Sequence, residues 1–295
     1  NETGIIQPIE QVSKLCNEHG AYLFSDMIQA IGKIDVSTFI KMVDFASFAS
    51  HKVGGIHGVG MVYFKDKIKI SNSDALIIQS TVTKLREKRG EEVIGFKIGC
   101  VLKETQKKMG FTQPAWGTLW KKELYQNGVE LNKKDYSNPA MEAEFGITLN
   151  RNIDPKLVTP EYIFKSIESI YPLIEIHNLV FHGEAPHGSE LLANNAIHAG
   201  IVLGPENKLP KSDQVTDLKL IYDKKIVDTW ENKIWPKDML SEIEWLVKEQ
   251  SKINNILKKG NLILTGAYGF PVPINEKKLI EVTSSAFGSV QANFI

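Results

Sequence analysis

Cysteine is nearly absent. The 295 residues hold two, Cys16 and Cys100. They lie far apart and in no metal-ligand spacing. That argues against a disulfide framework or a thiolate metal site and points to a reduced, cytosolic setting. Net charge is absent too. Lys plus Arg and Asp plus Glu number 35 each, so the balance gives no support for a nucleic-acid or membrane-surface partner. No apolar run approaches the ~20 residues of a membrane-spanning helix, and no signal peptide is visible. An initial methionine is missing. The chain opens at Asn1, and we expect a truncated or spliced sequence.

What is present is an ordinary globular composition, 42% hydrophobic, over a length of more than one average domain and fewer than three. Residues 9–19 have helical spacing and stop at Gly20. Short strands are expected at 21–25, 43–48 and 59–63. Residues 70–74 form a polar junction, and a helix is expected over 75–89 with Gly90 closing it. Further helices are expected at 162–170, with Thr159 as N-cap, and from Pro236 to Leu257. A hairpin is expected over 218–221 and 226–227. Strands are expected at 262–264, 271–274, 279–282 and 289–294.

The informative stretch is Pro139–Leu149, PAMEAEFGITL. Its β-forming residues predict a strand, in which Glu142 and Glu144 face the same way, roughly 7 Å apart along the backbone. Two carboxylates aimed at an apolar interior repel and lose hydration. A hard divalent cation compensates best. A solvated strand face carrying two acids has the same spacing, so the pattern alone permits both. A third acid, Glu175, lies in a second apolar strand around Ile174, Ile176 and Leu179. Three acids make an oxygen site for Mg²⁺ or Mn²⁺ that keeps positions open for water and substrate, but no local spacing joins them, so the residues alone only permit such a site. In GFKIG, Lys97 falls between Gly95 and Gly99 on the face opposite Phe96 and Ile98. It is either a solvated edge lysine or a lysine with room for a ligand against the backbone. Thr265-Gly266 follows the strand at 262–264 and is placed to offer a hydroxyl and an N–H to a carboxylate. In the first segment, His51-Lys52 precedes a glycine-rich turn, which is either a surface turn or a ligand-approach point.

Residues 1–67 resemble part of the large domain of a cysteine desulfurase, in the class V aminotransferase group, through NETGIIQPI, FSDMIQAIGK and DFASFASHKVGGIHGVG. The resemblance implies a partial α/β segment. Lys52 would form the Schiff base with pyridoxal phosphate (PLP), Asp26 would pair with the pyridinium nitrogen, and Gln29 and Asn1 would face the phenolic oxygen. His51 would face the phosphate. The family's phosphate-binding serine falls at Ala49, with Ser50 beside it.

Residues 75–295 resemble the 2-oxopent-4-enoate hydratase and 4-oxalocrotonate decarboxylase group of the fumarylacetoacetate hydrolase superfamily. Seven segments carry this: GFKIGCV, FTQPAWGTL, PAMEAEFGITL, PLIEIHN, ELLANNAIHAGIVLGP, LKKGNLILTGAYGFPVPI and FGSVQANFI. It implies an α+β domain on a coiled mixed β-roll with outer helices. It also implies a metal on Glu142, Glu144 and Glu175, and Lys97 near the bound keto acid. Asn178 and Ala193-Asn194-Asn195-Ala196-Ile197 depart from the family, which often carries Asp at the first position and Ala-Asp-Asn-Ala-Ser at the second. Asn195, Thr265 and Gly266 are the expected substrate-binding residues. His182, His187 and His198 either move protons or only hold loops. The expected activity is metal-dependent hydration or decarboxylation of a small unsaturated 2-oxo acid by a cytoplasmic homo-oligomer, with segments 1–70 and 75–295 as separate parts. PLP-dependent desulfuration through Lys52 is the rival, and a non-catalytic fusion of two remnants is the third reading.

Overall fold

The computed structural model of the chain describes residues 5–54, 60–65, 70–180, 188–276 and 278–295. The chain divides into two compact units, Asn1–Lys69 and Ile70–Ile295.

The first unit carries helix α1 (Ile9–Glu18) and strands β1 (Phe24–Asp26), β2 (Phe45–Ala49) and β3 (Gly60–Phe64). β1 and β2 run parallel, with Asp26 opposite Ser47, and β3 is antiparallel to β2. Met27, Val43, Ala46 and Phe48 form its small core. Phe24, Met61, Val62 and Phe64 stay exposed, since three strands bury little of either face.

In the second unit, α2 (Asn72–Lys88) begins earlier than its apolar spacing suggests. Ser71, expected in the polar junction, is its N-cap: the hydroxyl accepts the Asp74 N–H, and Asp74 returns the bond to the Ser71 backbone. That capping box sets the boundary. Strands β4 (Val93–Gly99), β5 (Ala115–Trp120), β6 (Leu124–Gln126), β7 (Val129–Leu131) and β8 (Pro139–Leu149) follow, with α3 (Lys103–Lys108) after β4. Next come α4 (Pro160–Ser166), β9 (Ile167–Asn178), α5 (Ser189–Ala193), β10 (His198–Leu203), β11 (Asn207–Lys208), β12 (Gln214–Tyr222) and β13 (Lys225–Trp235). The last elements are α6 (Lys237–Lys252), β14 (Leu262–Leu264), β15 (Val272–Pro273), β16 (Lys278–Ser284) and β17 (Gly288–Phe294).

Two expected helices are shorter. The helix over 162–170 gives way to strand at Ile167, because Ile167 and Ile170 pair with Leu149 and Ile147 of β8. Tertiary pairing overrides the local pattern for these β-branched residues. Thr159 caps α4 as expected, accepting the Tyr162 N–H at 3.1 Å. The long last helix stops at Lys252, and Asn254 takes φ 57° just beyond it.

The strands form two mixed sheets. One runs β5-β4-β14-β8-β9-β10-β6, with β11 on β9 and β15 on β8; the other runs β13-β12-β16-β17-β7. They pack face to face where β8 meets β12 and β9 meets β16 and β17. Odd-numbered residues of β8 (Met141, Ala143, Phe145 and Ile147) point into this main core. Phe145 meets Trp230 and Phe287 edge-on, with centroids 5.4 and 5.3 Å away. Strand parity turns the even-numbered residues, Glu142 and Glu144, to the other face. Leu119, Leu173, Ile201, Leu262 and Leu264 form a second apolar layer. The paired strands put Leu173 opposite Glu144 and Ile201 opposite Glu175.

Candidate active site

Register assembles the polar cluster. Glu142 sits directly opposite Glu175 in the β8–β9 ladder. Lys97 on β4 pairs with Leu264 on β14, which pairs with Gly146 on β8. This places Lys97 on the carboxylate face. All four are buried: Glu144 and Glu175 are fully enclosed, Lys97 is 2% exposed and Glu142 is 9% exposed. The solvated readings of the acid pair and of the lysine therefore do not hold.

The Lys97 ammonium lies 2.7 Å from Glu175 Oε1 and donates to the Ala196 carbonyl at 3.2 Å. His198 Nδ1 lies 2.8 Å from the same Glu175 oxygen. Glu144 Oε2 accepts the Gly266 N–H at 3.2 Å. His177 Nε2 is 2.9 Å from Glu142 Oε2 and 3.5 Å from Glu175 Oε2. His177 was not among the residues the sequence singled out. The period of two was its signal, because Glu175-x-His177 on a strand repeats the same-face spacing of Glu142-x-Glu144.

Burial works against the Lys97 ammonium, but Glu175, then Glu144 and Glu142, outweigh it and raise its pKa. Burial, with Glu175 and Glu142 close by, pushes the Glu144 carboxyl well above its ordinary range. Burial also disfavours the Glu175 anion, yet Lys97, His177 and His198 pull its pKa below the usual carboxylate value. The cluster thus holds one firmly ionised acid, one that resists ionisation, and a lysine that stays a cation. A lysine so held keeps its positive charge, fixed against Glu175.

Several expected contacts are internal. The Thr265 hydroxyl donates to the Phe145 carbonyl at 3.1 Å, and the carboxylate met by Gly266 is that of Glu144. Gly266 has φ 95°, and a Cβ there would strike Val101 at 2.3 Å, so only glycine presents that N–H here. Asn195 spans Thr118, accepting its N–H at 2.7 Å and donating to its carbonyl at 2.9 Å. Of the two glycines flanking Lys97, Gly95 makes room for the Leu262 backbone of β14, where a Cβ would lie 1.8 Å from the carbonyl oxygen. Gly99 does line the cavity beside Lys97. Asn178 accepts the Ser137 and Asn138 N–H groups, both at 3.0 Å, and fixes the entry to β8. His182 and His187 lie outside the described residues.

A cavity of about 50 Å³ opens onto Lys97, Glu142 and His177, walled by Cys100, Met109, Leu191, Ile197 and Phe270. The donor set fits a divalent cation. Glu144 Oε1 and Glu175 Oε2 are buried without a hydrogen-bond partner, and single ligand atoms of Glu142, Glu175 and His177 all lie within 4.8 Å of one another. Enclosed carboxylate oxygens are costly unless a cation, a water or a shared proton meets them; the proton that Glu144 retains beside Glu175 serves in the metal-free site, and a cation would displace it.

In the first unit, Lys52 follows β2 in the turn Ser50–Val53 and is exposed. Asp26 ends β1, exposed, with Oδ1 accepting the Ile28 N–H at 2.9 Å. Gln29 Oε1 accepts from Lys33. Asn1 and the His51 side chain lie outside the described residues. No buried, orphaned polar atom occurs among the described residues of this unit, so those residues do not by themselves fit a pyridoxal cradle.

Comparison with known proteins separates the two units. A 2-keto-4-pentenoate hydratase of Paraburkholderia xenovorans is 27% identical over 226 residues, 75% of this chain and 83% of that protein. The second unit resembles the hydratases. The solved 4-oxalocrotonate decarboxylase of Pseudomonas putida G7, complexed with magnesium and adipate, superposes with a TM-score of 0.71 at 20% identity. The match covers 77% of this chain and 87% of that one. The fold, with mixed sheets and few helices, is also similar to that of a putative fumarylacetoacetate hydrolase family protein from Yersinia pestis CO92, with a TM-score of 0.51 at 16% identity over 68% of this chain and 92% of that one. The aminotransferase class-V family model matches residues 1–86, running past the boundary between the units into α2. A cysteine desulfurase, IscS, of Clostridium botulinum is 40% identical over 72 residues, 24% of this chain but 18% of that protein.

Proposed function

We propose that the second unit is a divalent-metal-dependent lyase that hydrates or decarboxylates a small unsaturated 2-oxo acid. One observation carries the reading: Glu142, Glu144, Glu175, His177 and Lys97 gather in one buried cluster, of which Lys97, Glu142 and His177 line a cavity and Glu144 and Glu175 each keep an unpartnered carboxylate oxygen. Glu142, Glu144 and Glu175 would hold Mg²⁺ or Mn²⁺, since hard cations favour oxygen. His177, bonded to Glu142, orients that carboxylate. When bound, such an ion polarises a 2-oxo acid as a Lewis acid.

The chain's own groups do the rest. Lys97 presents a fixed positive charge and a proton beside the place where an enolate forms. His198 and Lys97 hold Glu175 from one side, leaving Oε2 free. The apolar wall of Met109, Leu191, Ile197 and Phe270 suits an unsaturated hydrocarbon tail and excludes water from it. His182 and His187 are further proton-transfer candidates, and Asn195, Thr265 and Gly266 support the site through their internal hydrogen bonds. We assign residues 75–295 as the catalytic domain of a cytoplasmic homo-oligomer. Residues 1–70 are assigned as a fragment like the large domain of a PLP-transferase.

The test is calorimetric titration of Mg²⁺ and Mn²⁺ into the intact chain and the Glu142→Ala/Glu144→Ala double variant, with and without oxalate. Binding that oxalate tightens and the variant loses supports the site; a screen of dienoic oxo acids then follows. Absence of binding to the intact chain sinks the reading.

A further inference from the structure

The segment between α5 and β10 has an uncommon backbone. Asn195, Ala196 and Ile197 take φ of 53°, 51° and 56° in succession. Residues other than glycine enter the left-handed region singly as a rule, and a β-branched side chain suits it worst. Three in a row make one left-handed turn, which persists only where its surroundings hold it. The hold is visible. The Asn195 side chain is pinned to β5, accepting the Thr118 N–H at 2.7 Å and donating to the Thr118 carbonyl at 2.9 Å. The Ile197 N–H donates to the Asn194 carbonyl at 2.9 Å, and its side chain packs with Phe111, Ala115 and Leu191. Gly117 on β5 gives the turn its room, since a Cβ there would lie 2.6 Å from the Asn195 carbonyl oxygen.

What the turn delivers goes to the carboxylate cluster. The Ala196 carbonyl accepts from the Lys97 ammonium at 3.2 Å. The residue after the turn, His198, brings Nδ1 to 2.8 Å from Glu175 Oε1, the same oxygen that Lys97 meets at 2.7 Å. An ammonium carries three N–H donors. Held by Glu175 alone, it could swing about that one contact. Glu175 and the Ala196 carbonyl together take two donors, and tetrahedral geometry then fixes the direction of the third. Lys97 lines the cavity of the candidate site, so the third donor is the one left for a bound molecule.

We infer that Asn195 is a positioning residue: by clamping the left-handed turn to Thr118 it aims the Ala196 carbonyl at Lys97, so that the ammonium keeps its third N–H turned to the bound 2-oxo acid. The identity of that acid rests on the proposed function; the hold of Asn195 on Lys97 does not.

The experiment reads the Lys97 ammonium directly, by NMR of the metal-free chain carrying Nζ-¹⁵N-labelled lysine, its signal assigned by loss in Lys97→Met. The variants are Asn195→Ala and Asn195→Gly. Glycine adopts φ 53° freely, so the second variant folds even where alanine strains the turn. Thermal melts confirm that each variant is folded. The expected result is hydrogen exchange of the Lys97 ammonium at least tenfold faster in both variants, with the backbone amides of β4 and β5 other than Thr118 within threefold of native. With Mg²⁺ and a dienoic oxo acid, kcat should fall at least tenfold while KM and Mg²⁺ affinity stay within threefold. Unchanged exchange of the ammonium overturns the inference, and so does an unchanged kcat. Exchange of the β4 and β5 amides that rises in step with the ammonium also overturns it, because Asn195 would then only hold the sheet. Faster ammonium exchange in a chain that binds no Mg²⁺ upholds the hold on Lys97 and sinks the proposed function alone.

Discussion

Replacing Lys97 with methionine keeps the length of the side chain and removes its charge. In the native site Glu175 Oε1 is met by Lys97 at 2.7 Å, inside a cluster that also holds Glu142 and Glu144. Without the ammonium, three acids share one enclosed space with only His177 and His198 close by. Removing one partner of a buried ion pair costs about 3–5 kcal/mol, because the remaining charge stays buried and uncompensated. For a unit of this size, each kcal/mol moves the melting temperature by about 2–4 °C. The metal-free variant should therefore melt roughly 6–20 °C lower. Two further readings make the reasoning specific. Saturating Mg²⁺ should recover much of the loss, since a divalent cation replaces the missing counter-charge. Turnover of a dienoic oxo acid should stay absent in the recovered protein, since the proton donor is gone. The assay is scanning calorimetry of the second unit's transition, with and without Mg²⁺, beside a dienol absorbance assay. A metal-free Lys97→Met protein melting within 2 °C of the native chain would falsify this account of the cluster.

Glu144 is held toward its neutral form by burial and by Glu175 and Glu142. The folded metal-free chain keeps a proton there that the unfolded chain releases above the ordinary carboxylate range, so this group lowers stability as pH rises through that window. Metal binding should expel the proton. Titrations in buffers of different ionisation enthalpy should show net proton release and weaker affinity as pH falls; identical heats in all buffers would contradict the assignment. Burial pushes the Cys100 thiol up to about 11. At pH 8 that leaves about 200-fold less thiolate than an ordinary cysteine, partly offset by greater nucleophilicity. Alkylation of Cys100 by iodoacetamide, followed by peptide mass spectrometry, should run roughly 20-fold slower than in a free peptide. Labelling at the free-peptide rate would refute the shift. Ser71→Ala removes half of the α2 capping box and should cost about 1 kcal/mol, or roughly 2–4 °C in melting temperature. No change would mean that another group caps the helix.

The carboxylate strand was legible because its period-two pattern is intrinsic to the backbone. Once residues 139–149 are a strand, Glu142 and Glu144 share a face wherever the strand lies. Lys97 was legible for the same reason, as the odd polar residue between apolar neighbours that face the core. The sequence could not say whether that second face is solvent or a second apolar layer. Leu119, Leu173, Ile201 and Leu264 decide it, and they come from four strands far apart in the chain. One of the glycines was misjudged for a related reason. Gly95 looks like space for a ligand, but the space is filled by the Leu262 backbone of a strand far along the chain. Helix ends failed where pairing won, as at Ile167, which spacing puts in a helix and β8 draws into a ladder.

His177 and His198 show where local spacing stops being sufficient. Both depend on Glu175, the residue on which the ladders converge: Glu142 lies opposite it on β8, and Ile201 opposite it on β10. From β9, His177 reaches Glu142 across the ladder; from β10, His198 reaches Glu175. A one-residue slip of β9 against β8 would turn Glu175 and His177 to the opposite face and leave Glu142, Glu144 and Lys97 without them. The apolar residues that prevent this slip, Ile174 and Ile176 on one face and Leu173 on the other, therefore position the site as surely as its polar groups do. What joins the acids into one cluster is register, and register is set by the hydrophobic residues between them.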